Sequence, residues 1–138
     1  MIPSERPVRT NPKGVVIRQS PFSVHETIDR LESLIRQRGS TLYVRIDQQA
    51  ELQKVGLQSR ALVFLLFGNP KGGGPVILDN PLAALDLPLK LIAWEDQQNE
   101  VWVAYNRVTY IGERYKLPAE LVSRLRLGGL VAEALNLE

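Results

Sequence analysis

Six consecutive apolar residues, Leu62 to Phe67, run without interruption into the stretch Gly68-Asn69-Pro70-Lys71-Gly72-Gly73-Gly74-Pro75. The run is too short to cross a bilayer as a helix, which takes about 20 apolar residues. Its length, its Val and Phe content and the turn signal behind it predict a strand buried on both faces. Val63, Phe64, Leu65 and Leu66 are therefore expected in the core. The Gly/Pro stretch reads as a loop at the mouth of that strand, and chemistry in this chain would sit there most naturally. Successive glycine amides can form an anion nest, and Lys71 adds a charge. Gly68, Asn69, Pro70, Lys71, Gly72 and Gly73 are the candidate ligand-binding residues. No Gly-Lys-Ser/Thr closes the loop, so it is not a Walker loop, nor is it GxGxxG. A flexible turn between elements stands beside the binding reading.

The remaining elements arrange themselves around this strand. Residues 1 to 13 are polar with three prolines and read as a mobile arm, leaving 14 to 138 as one domain. Val15 to Gln19 is β-prone. Ser23-Val24-His25-Glu26 has the form of a capping box. Val24, Ile28, Leu31 and Ile35 follow at helical spacing, and Gly39 is placed to close the helix in a left-handed conformation. Thr41 to Asp47 alternates, with Leu42, Val44 and Ile46 expected on one buried face and Tyr43, Arg45 and Asp47 on the other. Gln48 to Val55 reads as two helical turns with Ala50 and Val55 facing inward. Asn80-Pro81 is an N-cap and first-turn proline, which predicts a short helix to about Leu85. Leu89 to Glu95 and Glu100 to Tyr105 read as a hairpin joined by Asp96 to Asn99, with Trp94 and Trp102 placed to pair across it. Thr109 to Tyr115 is a weak helix. A last helical stretch starts at Pro118 and should kink or break at Gly128-Gly129. This order predicts an α+β domain, a mainly antiparallel sheet with helices packed on one face.

With 138 residues the chain can bury one real core. Hydrophobic residues at 44% and charged ones at 23% are ordinary for a globular protein in water. There is no cysteine, which excludes disulfides, thiolate catalysis and Cys-ligated metal and agrees with a cytoplasmic location. The formal net charge is +2, and the basic residues are scattered. A basic stripe with interleaved aromatics is missing, which argues against a nucleic-acid partner. No charged start with an apolar stretch marks a signal peptide.

Several segments in this order resemble one bacterial family. They are the long helix ending in Gly, then RID (45–47), VGL (55–57), LLFGNPKGG (65–73), ALDLPLKLIAWED (84–96) and VWVAYN (101–106). Over residues 14 to 117 the chain is similar to the family known as domain of unknown function 302. The resemblance implies a TATA-binding-protein-like α+β fold, often dimeric, with no established reaction. Two positions depart from the family pattern. Gln48 stands where the family commonly has histidine after Ile46-Asp47, and Leu78-Asp79 stands where it often has Met-Gln. A reaction that depends on that imidazole would be absent here.

The carboxylates Asp47, Asp79, Asp86, Glu95 and Asp96 lie near strand or helix ends. A pair of them could share a proton or hold a hard cation, and Asp47 and Asp86 are the first catalytic suspects. Solvated ends and caps are the alternative. His25, the single histidine, has no visible partner for triad chemistry. No metal site and no cofactor are expected. The reading is then a non-enzymatic homodimer that binds a small molecule or anion at the FGNPKGGG segment. An enzyme using Asp47 and Asp86 is the alternative. Nucleic-acid binding, which rests on fold analogy alone, stands third.

Overall fold

The structure, a computed structural model, describes residues 11–137. Most of the arm expected at 1 to 13 lies outside them. The order is β1 (Val15–Ser20), α1 (Val24–Gln37), β2 (Thr41–Asp47), α2 (Gln48–Lys54), β3 (Leu62–Gly68), α3 (Pro70–Asp79), a 3-10 turn (Pro81–Leu85), β4 (Leu89–Glu95), β5 (Val101–Asn106), α4 (Val108–Tyr115), α5 (Ala119–Ser123) and α6 (Leu130–Ala134). The strands form one antiparallel sheet in the order β1-β5-β4-β3-β2. The fold is α+β, as the order of elements predicts. Among the described residues no helix is long and apolar enough to cross a membrane.

The main core lies between one sheet face and α1 with α6. Ile28, Leu31 and Ile35 of α1 pack with Val63 and Leu65 of β3, Leu91 and Ala93 of β4 and Val103 of β5. The helix forms for the reasons its sequence states. The Ser23 hydroxyl accepts from the Glu26 amide at 3.1 Å, and Gly39 takes a φ of +80° past the last turn. The second half of the capping box is not made. Glu26 instead accepts from Arg30 at 3.0 Å, and the Arg30 guanidinium lies 3.8 Å over the Phe22 ring. A second apolar cluster joins Val76 of α3, Ala83, Leu87, Ile111 and Tyr115 of α4, and Leu117 and Leu125. Leu89 touches both clusters, so the second one sits at the end of the sheet where β4 begins.

Three expectations are overturned. Strand β3 is not buried on both faces, and it lies beside the edge strand β2, with β4 at the centre of the sheet. Val63, Leu65 and Phe67 are buried while Leu62, Phe64 and Leu66 are half-buried, because helices cover only one side. In β2 the register shifts between Leu42 and Val44, a bulge at Tyr43 that reverses the alternation after it. Leu42 packs on the main core, but Val44 and Ile46 now stand opposite Leu66 and Phe64 on the uncovered face. Arg45 has taken the helix side instead, where it donates to Asp29 at 2.8 Å and Glu32 at 3.0 Å. In α2 no residue is buried, and Val55, expected inward, is 71% exposed.

The β4–β5 hairpin forms where expected, with Trp94 directly opposite Trp102. Asp96 organises its turn. One carboxylate oxygen accepts the Gln98 and Glu100 amides at 2.9 and 3.0 Å, and the other accepts the Trp102 indole N–H at 2.8 Å. Burial alone would raise the Asp96 pKa. The Trp102 bond, the Glu100 and Gln98 amides and the nearby Arg60 charge outweigh it and hold the carboxyl below its usual range. A depressed folded pKa stabilises the fold above the unfolded value, and the contribution is lost as pH falls through the folded one. The gap in melting temperature between the native protein and Asp96→Ala is therefore expected to be constant above about pH 5 and to narrow below about pH 4. Thermal melts from pH 7 to pH 2.5 check this.

Candidate functional site

Residues 68–75 are not a loop. Asn69 caps a helix with Pro70 in its first turn, and α3 runs through all three glycines and Pro75 to Asp79. This is the same Asn-Pro start signal that Asn80-Pro81 carries. Glycine and an interior proline are poor helix formers, so packing must hold α3 in place. Val76 is fully buried in the second cluster, with Ile77 beside it.

The helical start also cancels the amide nest. Pro70 has no N–H. The Lys71 amide donates to the Asn69 side chain at 3.0 Å. The Gly72 and Gly73 amides donate to the Asn69 carbonyl at 2.9 and 2.8 Å. No backbone amide of this first turn, from Pro70 to Gly73, is left for an anion.

A cavity of about 430 Å³ does open beside it. Gly68, Asn69, Pro70 and Gly73 line it, together with Gly74 and Ile77 one helical turn on. Lys71 and Gly72 do not. The opposite wall comes from the end of α1 and from the segment between α5 and α6. These elements bring in Arg38, Arg124 and Arg126, which spacing along the chain gave no reason to group. The floor is apolar, with Ile35, Phe67, Leu125 and Leu130. Asp and Glu are missing from the lining.

The glycines divide by role. A Cβ on Gly72 would stand 2.7 Å from the backbone oxygen of Arg124, so close approach of α3 to that segment requires glycine. A Cβ on Gly73 or Gly74 would meet nothing within 4 Å, and both face the cavity. Gly74 precedes Pro75, where a side chain disfavours helical backbone. Gly73 has neither constraint, yet glycine costs a helix interior about 1 kcal/mol against alanine. Gly73→Ala is expected to raise stability by up to that amount, while Gly72→Ala, which must push backbone aside, lowers it by about 1–3 kcal/mol. Urea unfolding of the two variants checks the opposite signs.

The carboxylate suspects are not brought together. Asp47 stands opposite Val63 at the start of β3 and caps α2 by accepting the Ala50 amide at 3.0 Å. Asp86 lies at the other end, beside the segment in which Pro88 meets Gly68. The intervening stretch of β3 separates them by about 17 Å at roughly 3.4 Å per residue. Asp86 accepts the Tyr115 hydroxyl at 2.6 Å and Arg114 at 2.9 Å. Its bond to Tyr115 raises the Tyr115 pKa, and burial of the phenol adds to this. Asp86 thus ties α4 to the 3-10 turn. Asp79 is exposed at the end of α3, and His25 is exposed in the first turn of α1. Among the described residues no three His, Asp or Glu side chains gather as a metal cluster.

The family model for the domain of unknown function DUF302 matches residues 16–127. The chain belongs to the DUF302 family. A solved DUF302 protein from Bacillus stearothermophilus, described as an uncharacterized conserved protein, has the same fold. Its TM-score is 0.75 at 22% identity, over 91% of this chain and 98% of that one. Curated relatives include proteins named fluoride-specific ion channel FluC 1, from Brucella suis and Brucella abortus, each 33% identical over 104 residues. This DUF302 chain is matched over 75% of its length but spans only about two-fifths of theirs, 41% and 38%.

Proposed function

We propose that this DUF302 chain is a non-enzymatic, homodimeric module that binds a small organic molecule in the cavity beside α3. The cavity carries the reading. Its volume of about 430 Å³ falls in the range of small-molecule sites, and its apolar floor with a few polar groups at the rim is the usual make-up of such sites. Four of the six residues expected to bind a ligand line it. Fluoride itself fits poorly, because a monatomic ion would leave most of an apolar-floored space unfilled. Conduction through a membrane is likewise not part of this reading. An amide-resolved NMR screen with pooled small organic molecules tests it. Shifts are expected at Gly68, Asn69, Gly73 and Gly74. A screen in which hits move only amides elsewhere would contradict the proposal.

The dimer rests on the uncovered sheet face. Directly opposed residues of an antiparallel sheet share a face, and the register therefore groups Ile17, Ile46, Phe64, Ile92, Trp94 and Trp102 there. Five strands about 4.8 Å apart and six residues long cover roughly 24 by 20 Å. With side-chain relief this approaches the area of about 800 Å² per partner that a stable interface buries. A second copy of the same face, packed sheet to sheet, is the simplest cover for an apolar surface of this size.

A further inference from the structure

Taking the cavity beside α3 as a small-molecule site, as proposed above, we infer that its ligand is an amphipathic monoanion, an organic acid with a short apolar body. The acid group meets Arg126 and Arg124 at the rim, and the body lies along the bare face of α3 at Gly73, against Ile77 and Leu127.

Charge is the first argument. Three guanidiniums and no carboxylate line the cavity, so its field favours an anion and disfavours a cation. The arginines are not equivalent. Arg38 is committed, donating to the Leu127 carbonyl at 2.7 Å and to Glu133 at 2.8 Å. It holds the rim segment in place. The acidic partner of Arg124 is Glu120 at 3.4 Å, a pair in which Glu120 is 79% exposed, and such surface pairs are weak. Arg126 makes no ion pair or side-chain hydrogen bond among the described residues. Two guanidiniums therefore keep free donors, and a planar fork is matched to a carboxylate.

The apolar floor is the second argument. A bare inorganic anion would leave Ile77, Pro88, Leu89 and Leu127, the half-buried apolar residues of the lining, facing water. At about 30 Å³ per water-sized unit, 430 Å³ holds on the order of a dozen non-hydrogen atoms. That is the size of a medium-chain carboxylic acid. Gly73 supplies the third argument. The helix bears a glycine there that neither close packing nor a positive φ requires, and any side chain would occupy the space the ligand body needs.

Isothermal titration calorimetry on the full chain tests this with octanoate, octan-1-ol, octylamine and inorganic phosphate. Octanoate is expected to bind, with the alcohol and the amine at least about ten-fold weaker, as loss of one charge-assisted contact implies. Phosphate should give no heat. Arg126→Gln should weaken octanoate about ten-fold and leave octan-1-ol unchanged. Gly73→Leu should abolish octanoate binding without lowering the melting temperature. Octylamine or octan-1-ol binding as tightly as octanoate overturns the ligand class while leaving the cavity reading intact. Undiminished octanoate binding in Gly73→Leu overturns the placement and the cavity reading with it. Absence of octanoate binding overturns the class outright. Arg126 is an exposed rim residue, so its variant keeps the question decidable should Gly73→Leu fail to fold.

Discussion

Leu65→Ala is expected to cost about 2–5 kcal/mol in urea unfolding, the range for deleting a fully enclosed leucine side chain. Leu65 has no exposed surface. It lies in β3, beside Leu91 of β4 in register, under α1. Its neighbours in sequence provide the control. Phe64 and Leu66 point to the uncovered face and are half-buried. Their truncation should destabilise an isolated chain far less, because a site that already opens to solvent leaves no closed cavity. A loss below about 1 kcal/mol for Leu65→Ala would mean that α1 does not press on the sheet as described.

Phe64→Asp is expected to convert the protein to monomers. Phe64 stands in β3 between Ile46 and Ile92 on the uncovered face. In a lone chain a carboxylate there still meets water, and its cost is limited to the half-buried packing of one Phe side chain. In a sheet-to-sheet dimer it would be buried without a partner, which costs several kcal/mol per copy. Trp102 is a poorer choice for this test, because its indole also bonds to Asp96 and its loss would disturb the hairpin. Sedimentation equilibrium at micromolar concentration checks the shift. An unchanged dimer mass in Phe64→Asp would place the interface elsewhere.

Much of the fold could be read from local pattern, because local physics decides it. The α1 helix has a cap, a 3.6-residue apolar stripe and a terminal glycine that all agree. The hairpin and the break at Gly128 and Gly129, both with positive φ, are likewise set by neighbouring residues. Two misreadings share another cause. The bulge at Tyr43 changes register by one residue and sends Val44 and Ile46 to the opposite face, and nothing in the alternation of Thr41 to Asp47 announces it. Glycine-rich composition reads residues 68–75 as a loop, yet the Asn69-Pro70 start and tertiary packing at Val76 hold α3 in the fold.

The site was half readable for the same reason. The glycine-rich segment drew attention by composition, and four of its residues do line the cavity. The arginines did not. Arg38 closes one helix, whereas Arg124 and Arg126 follow another more than eighty residues later, and only the meeting of the two clusters sets them around one space. The amide nest failed because Pro70 has no N–H and Asn69 takes the amides of Lys71, Gly72 and Gly73.

Native mass spectrometry of the protein purified from its own host, without refolding, addresses the central claim most directly. A mass of two 15.5 kDa chains carrying a small organic acid, released on denaturation and lost in Gly73→Leu, is the predicted result. A single chain with no retained mass, in native protein and variant alike, would contradict it.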